Sequence, residues 1–167
     1  MSGNLPFTVI DNFLDPTDFK RLKDLIVDNP DFPWFVTTNV TGREEHDGKD
    51  YYFTHQFIKE GKNNSTFTQQ LQVFFDKLQI KNALRIKGNL YPATEKIIKH
   101  GNHTDCEFKN KAAVFHLNTN NGLTIFGDTY EVSSIENRIV LFDGSDIHRS
   151  TTCTDQYYRV NLNFNYF

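Results

Sequence analysis

The sequence lacks several features that would place it in a specialised class of proteins. It has only two cysteines among 167 residues, too few for a disulfide framework, and we predict that both thiols are free. No hydrophobic run approaches the roughly 20 residues of a membrane span, and residues 1–4 show no basic and apolar signal segment. We therefore expect a soluble, cytoplasmic protein without a membrane partner.

The chain also lacks an excess of charge, an internal repeat and a linker. Its formal net charge of −3 gives no overall attraction to nucleic acid or anionic lipid. Aromatic residues make up 14%, including sixteen phenylalanines, which is more than a disordered chain would carry. The length is ordinary for one domain. We predict a single domain over residues 1–167.

The sequence predicts a helical region over the first half of the chain, up to about residue 82. Residues 7–10 predict a short strand. The run Asp15-Pro16-Thr17-Asp18 is typical of a helix start with Asp15 as N-cap, and Ser65 is predicted to cap a second helix. Helical spacing gives each helix one apolar face, so we expect both to pack on one side of a sheet. These faces consist of Phe19, Leu22, Leu25 and Ile26 in the first helix, and Phe67, Leu71, Phe74, Phe75 and Leu78 in the second.

Residues 33–64 leave two interpretations open. Trp34–Val36 and Tyr51–Phe53 can be strands, whereas residues 41–49 are polar and loop-like. The stretch could be a lid that covers a substrate, or a surface loop with two edge strands.

From Ala83 onward the sequence period changes to two, which is typical of strands. In residues 84–91, apolar side chains share one face, and Arg85, Lys87, Asn89 and Tyr91 share the other. Further strand-like runs lie at 94–99, 111–117, 123–126, 129–132, 138–142, 147–152 and 157–166. Several short strands after two helices predict a β-sandwich or barrel with the helices against one outer face.

The last predicted strand alternates polar and apolar residues. If its apolar residues pack against the helices, its polar residues face either water or a polar cavity. In a cavity they would need partners, because an unsatisfied buried polar group costs about 1–3 kcal/mol. A bound dicarboxylate and ordered waters would supply them. The polar set is Arg159, Asn161, Asn163 and Asn165, and the apolar set is Val160, Leu162, Phe164 and Tyr166.

Three residues are candidate ligands of one metal ion. His103 and Asp105 are two positions apart, so both can point to one side of an extended chain. His148, from a distant strand, would complete a set of two nitrogens and one oxygen. This 2-His-1-carboxylate set suits non-haem Fe(II), since it leaves coordination positions open. His-x-Asp alone is a weak motif, and the hypothesis depends on what surrounds it.

Two further histidines are weaker candidates. His100 lies three positions before His103, a spacing that could suggest zinc. Structural zinc usually takes four protein ligands, often thiolates, and only Cys106 is near. We interpret His100 as a residue that supports the site or lies on the surface. His116 lies in a predicted strand, and we expect its ring to be hydrogen-bonded or at the surface.

Together these residues resemble the Fe(II)- and 2-oxoglutarate-dependent oxygenases, and particularly their small prolyl-4-hydroxylase-like members of bacterial or phage type. The resemblance covers about residues 84–166. Three features depart from it. Arg159 stands where collagen-type prolyl hydroxylases usually carry lysine, Asn121-Gly122-Leu123 replaces a frequent Gly-Gly, and the spacing from Tyr91 to His103 is longer than in many relatives. The matching residues, in order, are Asn89, Tyr91, His103-x-Asp105, Thr124-Ile125-Phe126, residues 138–142, His148, Arg159 and Asn161.

The resemblance implies a mainly β fold with some α. Its core would be a double-stranded β-helix (a jelly-roll, cupin-like barrel) over about residues 83–167, buttressed by the two N-terminal helices. Fe(II) would bind to His103, Asp105 and His148. The cosubstrate 2-oxoglutarate would be held through its distal carboxylate by Arg159, with further contacts from Tyr91, Asn89 and Asn161.

The implied reaction is hydroxylation by dioxygen, coupled to decarboxylation of 2-oxoglutarate to succinate, with ascorbate as a reductant. The substrate would be a peptide, a protein side chain such as proline, or a small molecule. One alternative is an alkylation-repair-type nucleic-acid demethylase, which shares the Asn-x-Tyr and Arg-x-Asn pairs and would need a basic groove. The net charge disfavours it, although Arg85, Lys87, Lys96 and Lys99 could form a local patch. A non-catalytic metal-binding β-barrel is the other alternative, against which Arg159 argues.

Overall fold

The computed structural model describes residues 5–38 and 51–167, and this part of the chain is mainly β. No helix within it is long and apolar enough to span a membrane. The helices are α1 (Pro16–Ile26), a 3-10 helix (Thr68–Leu71) and α2 (Gln72–Leu78). The strands are β1 (Phe7–Ile10), β2 (Phe35–Thr37), β3 (Tyr52–Lys59), β4 (Lys62–Asn63), β5 (Ala83–Pro92), β6 (Lys111–His116), β7 (Asn120–Phe126), β8 (Tyr130–Ser134), β9 (Ile139–Asp143), β10 (His148–Ser150) and β11 (Tyr158–Tyr166).

The strands form two antiparallel sheets. The larger sheet has the order β1-β9-β6-β11-β5-β3-β2, with β4 paired to β3, and the smaller has the order β10-β7-β8. The last strand, β11, lies between β5 and β6, so it joins the two halves of the larger sheet. The predicted mainly β fold is confirmed. Between the described strands, no pairing joins the two sheets into a closed barrel.

Helix α1 begins where the sequence predicts. The side chain of Asp15 accepts hydrogen bonds from the backbone N–H groups of Thr17 and Asp18, at 3.0 and 3.1 Å. These bonds satisfy two N–H groups that have no partner within the helix. The helix ends at Ile26, and its buried residues are Leu22 and Ile26.

The predicted start of the second helix is wrong. Ser65 Oγ accepts a hydrogen bond from Phe67 N at 3.1 Å, but the chain then forms a 3-10 turn, and α2 begins only at Gln72. The residue before α2 is Leu71, which makes no side-chain cap. The hydroxyl of Ser65 is also bound to His55 Nε2 at 2.7 Å. Tertiary contacts therefore decide where this helix begins.

The main hydrophobic core lies between the helices and the larger sheet. The ring of Phe74 in α2 contacts Phe164 of β11 and Phe115 of β6, with centroid distances of 4.7 and 4.9 Å. Val160 and Leu162 of β11 are fully buried in the same core. The prediction that both helices pack on the apolar face of the last strand is confirmed.

A second, smaller apolar cluster is formed by residues from both sheets. Val114 and Val140 come from the larger sheet, and Phe126 and Val132 come from the smaller one. Val114 pairs with Asn163 across β6 and β11, so the two side chains lie on the same face. The face of the larger sheet that looks towards the smaller one is therefore apolar at β6 and β9 and polar at β11.

Two strand predictions differ from the structure. β3 runs for eight residues and pairs along β5, whereas the sequence predicts only Tyr51–Phe53. Both faces of β3 are largely buried, so its sequence lacks the polar and apolar alternation of a half-exposed strand. Residues 94–99 contain only an isolated bridge, Lys99 to Thr151, instead of a strand. Of the candidate lid, residues 33–64, residues 39–50 lie outside the described residues, including the polar stretch 41–49.

Candidate active site

His103, Asp105 and His148 converge between the two sheets. The Nε2 atoms of His103 and His148 each lie 3.9 Å from Oδ1 of Asp105. The candidate ligand atoms of all three residues lie within 4.8 Å of one another. Adjacent ligands about 2.1 Å from a first-row ion are roughly 3 Å apart, so a small inward movement of the side chains would complete the coordination.

Backbone hydrogen bonds bring these three residues together. His103 N donates to His148 O and His148 N donates to His103 O, both at 2.9 Å. On the other side, the N–H groups of Asp105 and Cys106 donate to Gly144 O, at 2.9 and 3.1 Å. The segment that carries the His-x-Asp motif is thus held at two points against the segment that ends in β10.

The second nitrogen of each histidine faces a backbone carbonyl. Nδ1 of His148 lies 2.9 Å from Asp146 O, and Nδ1 of His103 lies 3.3 Å from Gly101 O. A proton on each Nδ1 leaves the lone pair of Nε2 free to bind a metal. Burial, followed by the nearby His148, lowers the pKa of His103 to about 4. His103 is therefore neutral at pH 7, as a metal ligand must be.

Asp105 is held by three donors, and its side chain is only 2% exposed. Arg85 Nη2 donates to Oδ1 at 2.6 Å, while Asn163 Nδ2 and Asn165 Nδ2 donate to Oδ2 at 3.3 and 3.0 Å. Burial raises the pKa of Asp105, but Arg85 and the surrounding donors outweigh it, and the net pKa is lowered. The carboxylate is therefore ionised and fixed in orientation.

Arg85 contacts the candidate ligand Asp105, and the sequence reasoning missed this contact. The sequence suggested a basic patch, whereas the structure pairs Arg85 with Asp105. The strand register explains this: Arg85 lies opposite Asn165, and Lys87 lies opposite Asn163, so all four side chains share one face. Polar side chains recur at every second position in both β5 and β11, and this pattern is the sequence signal that could have placed Arg85 in the site.

The guanidinium of Arg159 is fully buried, and its hydrogen-bond partners among the described residues are neutral acceptors. Nε donates to Ser134 Oγ at 2.9 Å, Nη2 donates to Thr124 Oγ1 at 3.0 Å, and Nη1 donates to Thr151 O at 3.2 Å. No acidic side chain in residues 5–38 or 51–167 forms an ion pair with Arg159, and burial lowers its pKa to about 10. A buried cation of this kind has a strong tendency to bind an anion.

One pocket connects Arg159 with the two histidines of the cluster. Tyr91 lies opposite Arg159 in β5, with the guanidinium 5.7 Å from its ring centroid. Asn89 Nδ2 donates to Asn161 Oδ1 at 3.0 Å, and the buried Asn89 Oδ1 has no hydrogen-bond partner among the described residues. The pocket is lined by Asn89, Tyr91, His103, Val114, Thr124, His148, Arg149, Ser150, Arg159, Asn161 and Asn163.

The two remaining histidines have different environments. His100 is buried, with Nδ1 2.7 Å from Ser150 Oγ and its ring centroid 5.1 Å from that of Tyr91, so it supports the pocket wall. The expectation that His116 is hydrogen-bonded or exposed is wrong. Its ring is fully buried, and neither nitrogen has a partner in the described part of the chain. Burial, with Arg159 and Arg138 nearby, lowers the pKa of His116 well below its usual value.

The chain matches no protein-family model and no curated protein sequence, but solved structures share its fold. A Pseudomonas putida prolyl-4-hydroxylase aligns with a TM-score of 0.62 and 13% identity, over 98% of this chain and 93% of that chain. A Trichoplax adhaerens prolyl hydroxylase, in complex with a hypoxia inducible factor peptide fragment, gives 0.67 and 13%, over 98% and 84%. The epimerase SnoN, in complex with Fe3+, alpha ketoglutarate and nogalamycin RO, gives 0.65 and 10%, over 97% and 78%.

These structures define the fold class. The chain has the fold of the Fe(II)- and 2-oxoglutarate-dependent oxygenases, a group that includes prolyl-4-hydroxylases. The resemblance predicted from the sequence is therefore confirmed at the level of the fold. Because an epimerase shares this fold, the type of oxidation must be argued from the site itself.

Proposed function

We propose that the chain is an Fe(II)- and 2-oxoglutarate-dependent dioxygenase that hydroxylates a C–H bond of a further substrate. The observation that supports this most strongly is one pocket with two kinds of site. The pocket is lined by the two histidines of the His-Asp-His cluster and by a buried guanidinium without an acidic partner among the described residues. A metal-binding site alone does not need the second feature.

The residues fit the two groups that such an enzyme binds. His103, Asp105 and His148 would hold Fe(II), since neutral imidazoles and an ionised carboxylate suit that ion. Arg159 would bind the distal carboxylate of 2-oxoglutarate through a charge-assisted pair. Additional polar contacts to the cosubstrate would come from Tyr91, Asn89 and Asn161.

The bound iron and 2-oxoglutarate would supply, with dioxygen, the oxidising power, and succinate and carbon dioxide would be released; ascorbate would keep the iron reduced. The protein's own contribution is orientation and exclusion of water. Arg85, Asn163 and Asn165 fix the orientation of Asp105. We favour hydroxylation over halogenation because halogenating relatives lack a carboxylate at this position.

We also propose that the two facing sheets form a double-stranded β-helix core over about residues 83–167, in one domain with the helical region before it. The cluster supports this arrangement, because His148 belongs to the smaller sheet while Arg159 belongs to the larger one. A cytoplasmic location stays a prediction.

We propose a peptide, a protein side chain (proline included) or a small molecule as the substrate. The nucleic-acid demethylase is disfavoured, because Arg85 pairs with the buried Asp105 instead of forming a basic groove. The net charge of −3 argues in the same direction.

The proposal is tested by the formation of succinate. Purified protein with Fe(II), ascorbate and 2-oxoglutarate should release succinate slowly even without the further substrate, and anaerobic mixing should give the visible charge-transfer absorption of an Fe(II)–keto acid chelate. Asp105→Ala should abolish both, because it removes a metal ligand. Asp24→Ala is the matched control, since that side chain is 52% exposed and pairs with Lys20 within α1. Equal succinate release from wild type and Asp105→Ala would disprove the proposal.

A further inference from the structure

Lys87 lies on the same face of the larger sheet as Arg85 and Asn163, two of the donors to Asp105. It follows Arg85 by two positions in β5, so the two side chains share a face. Its partner in β11 is Asn163, which donates to Asp105, and its partner in β3 is Gln56. The side chain of Lys87 therefore lies beside the proposed metal centre, on the side away from Arg159.

Lys87 has no acidic partner within residues 5–38 and 51–167. Its one hydrogen-bond contact there is a long one, 3.4 Å from Nζ to the hydroxyl oxygen of Tyr52, and Nζ lies 5.5 Å from the centroid of that ring. Burial, followed by the charge of Arg85, lowers the pKa of Lys87 to about 8. Both causes disfavour the ammonium, and both would be relieved by an anion placed between the two cations.

The charges of the proposed site do not balance without a further anion. The double charge of Fe(II) would be offset by Asp105 and the C1 carboxylate of 2-oxoglutarate, and the distal carboxylate would offset Arg159. Arg85 shares Asp105 with the metal, and Lys87 forms no ion pair within the described residues; the carboxylate that acts on it electrostatically is that same Asp105. The loaded site therefore keeps two excess positive charges on adjacent side chains.

A neutral hydroxyl completes this group. Burial raises the pKa of Tyr52 to about 12, so its phenol keeps its proton at neutral pH. Its ring stacks on Tyr91, with centroids 5.2 Å apart and an interplanar angle of 8°. Tyr52 is thus fixed in place, with its hydroxyl next to the ammonium of Lys87. An ammonium, a guanidinium and a phenol are donors that suit an oxyanion.

We propose that Arg85 and Lys87 bind an oxyanion, a carboxylate or a phosphate group, carried by the substrate that is oxidised. This inference rests on the proposed function and narrows it: the substrate presents a negative group close to the reacting carbon, and an unsubstituted prolyl ring is not recognised alone. The two cations lie within the wall beside Asp105, which favours a small anionic molecule or side chain over a polyanion.

Direct binding of probe anions tests this inference. Anaerobic protein loaded with diamagnetic Zn(II) and saturated with 2-oxoglutarate is titrated with N-acetylglutamate, with its neutral amide N-acetylglutamine, and with O-phosphoserine. The lysine side-chain NMR signals report the pKa of Lys87. At least one of the two anions should bind at least tenfold more tightly than N-acetylglutamine and should raise that pKa. Comparison of N-acetylglutamate with O-phosphoserine distinguishes the carboxylate from the phosphate.

Two variants complete the test. Lys87→Met, which keeps the apolar stem, should weaken binding of the preferred anion about tenfold, and Lys87→Arg should largely restore it. Lys96→Met, a change at an exposed lysine, should leave binding unchanged, and a thermal melt checks that each variant is folded. The inference is overturned if neither anion is preferred over the amide, if Lys87→Met binds as wild type does, or if a short single-stranded oligonucleotide binds more tightly than both anions. A wild-type protein that fails to form the Fe(II)–keto acid chelate would overturn the proposed function instead, whatever the probe anions do.

Discussion

Replacing Arg159 with methionine should change the stability of the ligand-free protein little but weaken its affinity for 2-oxoglutarate strongly. Burial lowers the pKa of this guanidinium from 12.5 to about 10, which corresponds to roughly 3 kcal/mol against the charged form. The three hydrogen bonds to Ser134, Thr124 and Thr151 offset this by about 1 kcal/mol each. The two contributions nearly cancel, so we expect the free energy of unfolding of the ligand-free protein to change by less than about 2 kcal/mol.

The affinity for 2-oxoglutarate should change far more. Loss of one partner of a buried charge pair costs about 2–5 kcal/mol, which weakens binding roughly 30-fold to several thousand-fold. Pyruvate is the informative second ligand, because it can chelate the metal but lacks the distal carboxylate. Its affinity should be nearly the same for wild type and Arg159→Met, and metal affinity should also be preserved.

Calorimetry on anaerobic, metal-loaded protein measures these affinities, and urea denaturation measures the free energy of unfolding. Arg138→Met is the matched control, because Arg138 pairs with Asp11 away from the pocket. Two results would refute the reasoning. Unchanged 2-oxoglutarate affinity in Arg159→Met would mean that the guanidinium does not bind the cosubstrate, and an equal loss of pyruvate affinity would mean that the variant damages the metal centre.

Two further predictions concern residues around Arg159. A Cβ atom at Gly122 would lie 2.6 Å from Cδ of Arg159 and 2.9 Å from Thr152 O. Gly122→Ala should therefore lower the free energy of unfolding by about 1–3 kcal/mol, measured by denaturation, and weaken 2-oxoglutarate binding, measured by calorimetry. If both values are unchanged, the packing described for Gly122 is wrong. Because the pKa of buried His116 is depressed, the unfolded chain takes up that proton first as the pH falls below about 6.5, and the free energy of unfolding drops by up to about 1.4 kcal/mol per pH unit. His116→Leu should remove this part of the slope between pH 6.5 and 5 while leaving the slope above pH 7 unchanged, and identical slopes for the two proteins would show that His116 does not titrate on unfolding.

Local sequence signals were sufficient for several features of this protein. The cap at Asp15 depends only on the next three residues, and it forms as predicted. The alternation in β11 predicts correctly which side chains pack on the helices and which face the pocket. The order of His103, Asp105, His148 and Arg159 along the chain was enough to predict the fold class through its resemblance to a known family.

Other features depend on strands that are far apart in the sequence. The pairing of Arg85 with Asp105 depends on the β5–β11 register and on the hydrogen bonds from Asp105 N and Cys106 N to Gly144 O. The lone buried ring of His116 likewise depends on what surrounds β6 in the folded protein. In both cases the relevant neighbour is remote in sequence.

The physical reason is the range of the interactions. A helix cap or a two-residue period is decided by atoms within a few positions, so it is visible in the sequence. A partner across a sheet is decided by register, and a shift of one residue would turn every side chain to the opposite face. The sequence alone therefore determined the classes of residue that line this pocket, whereas only the tertiary structure decided that Arg85 holds Asp105 and that Lys87 lies beside it without an acidic partner among the described residues.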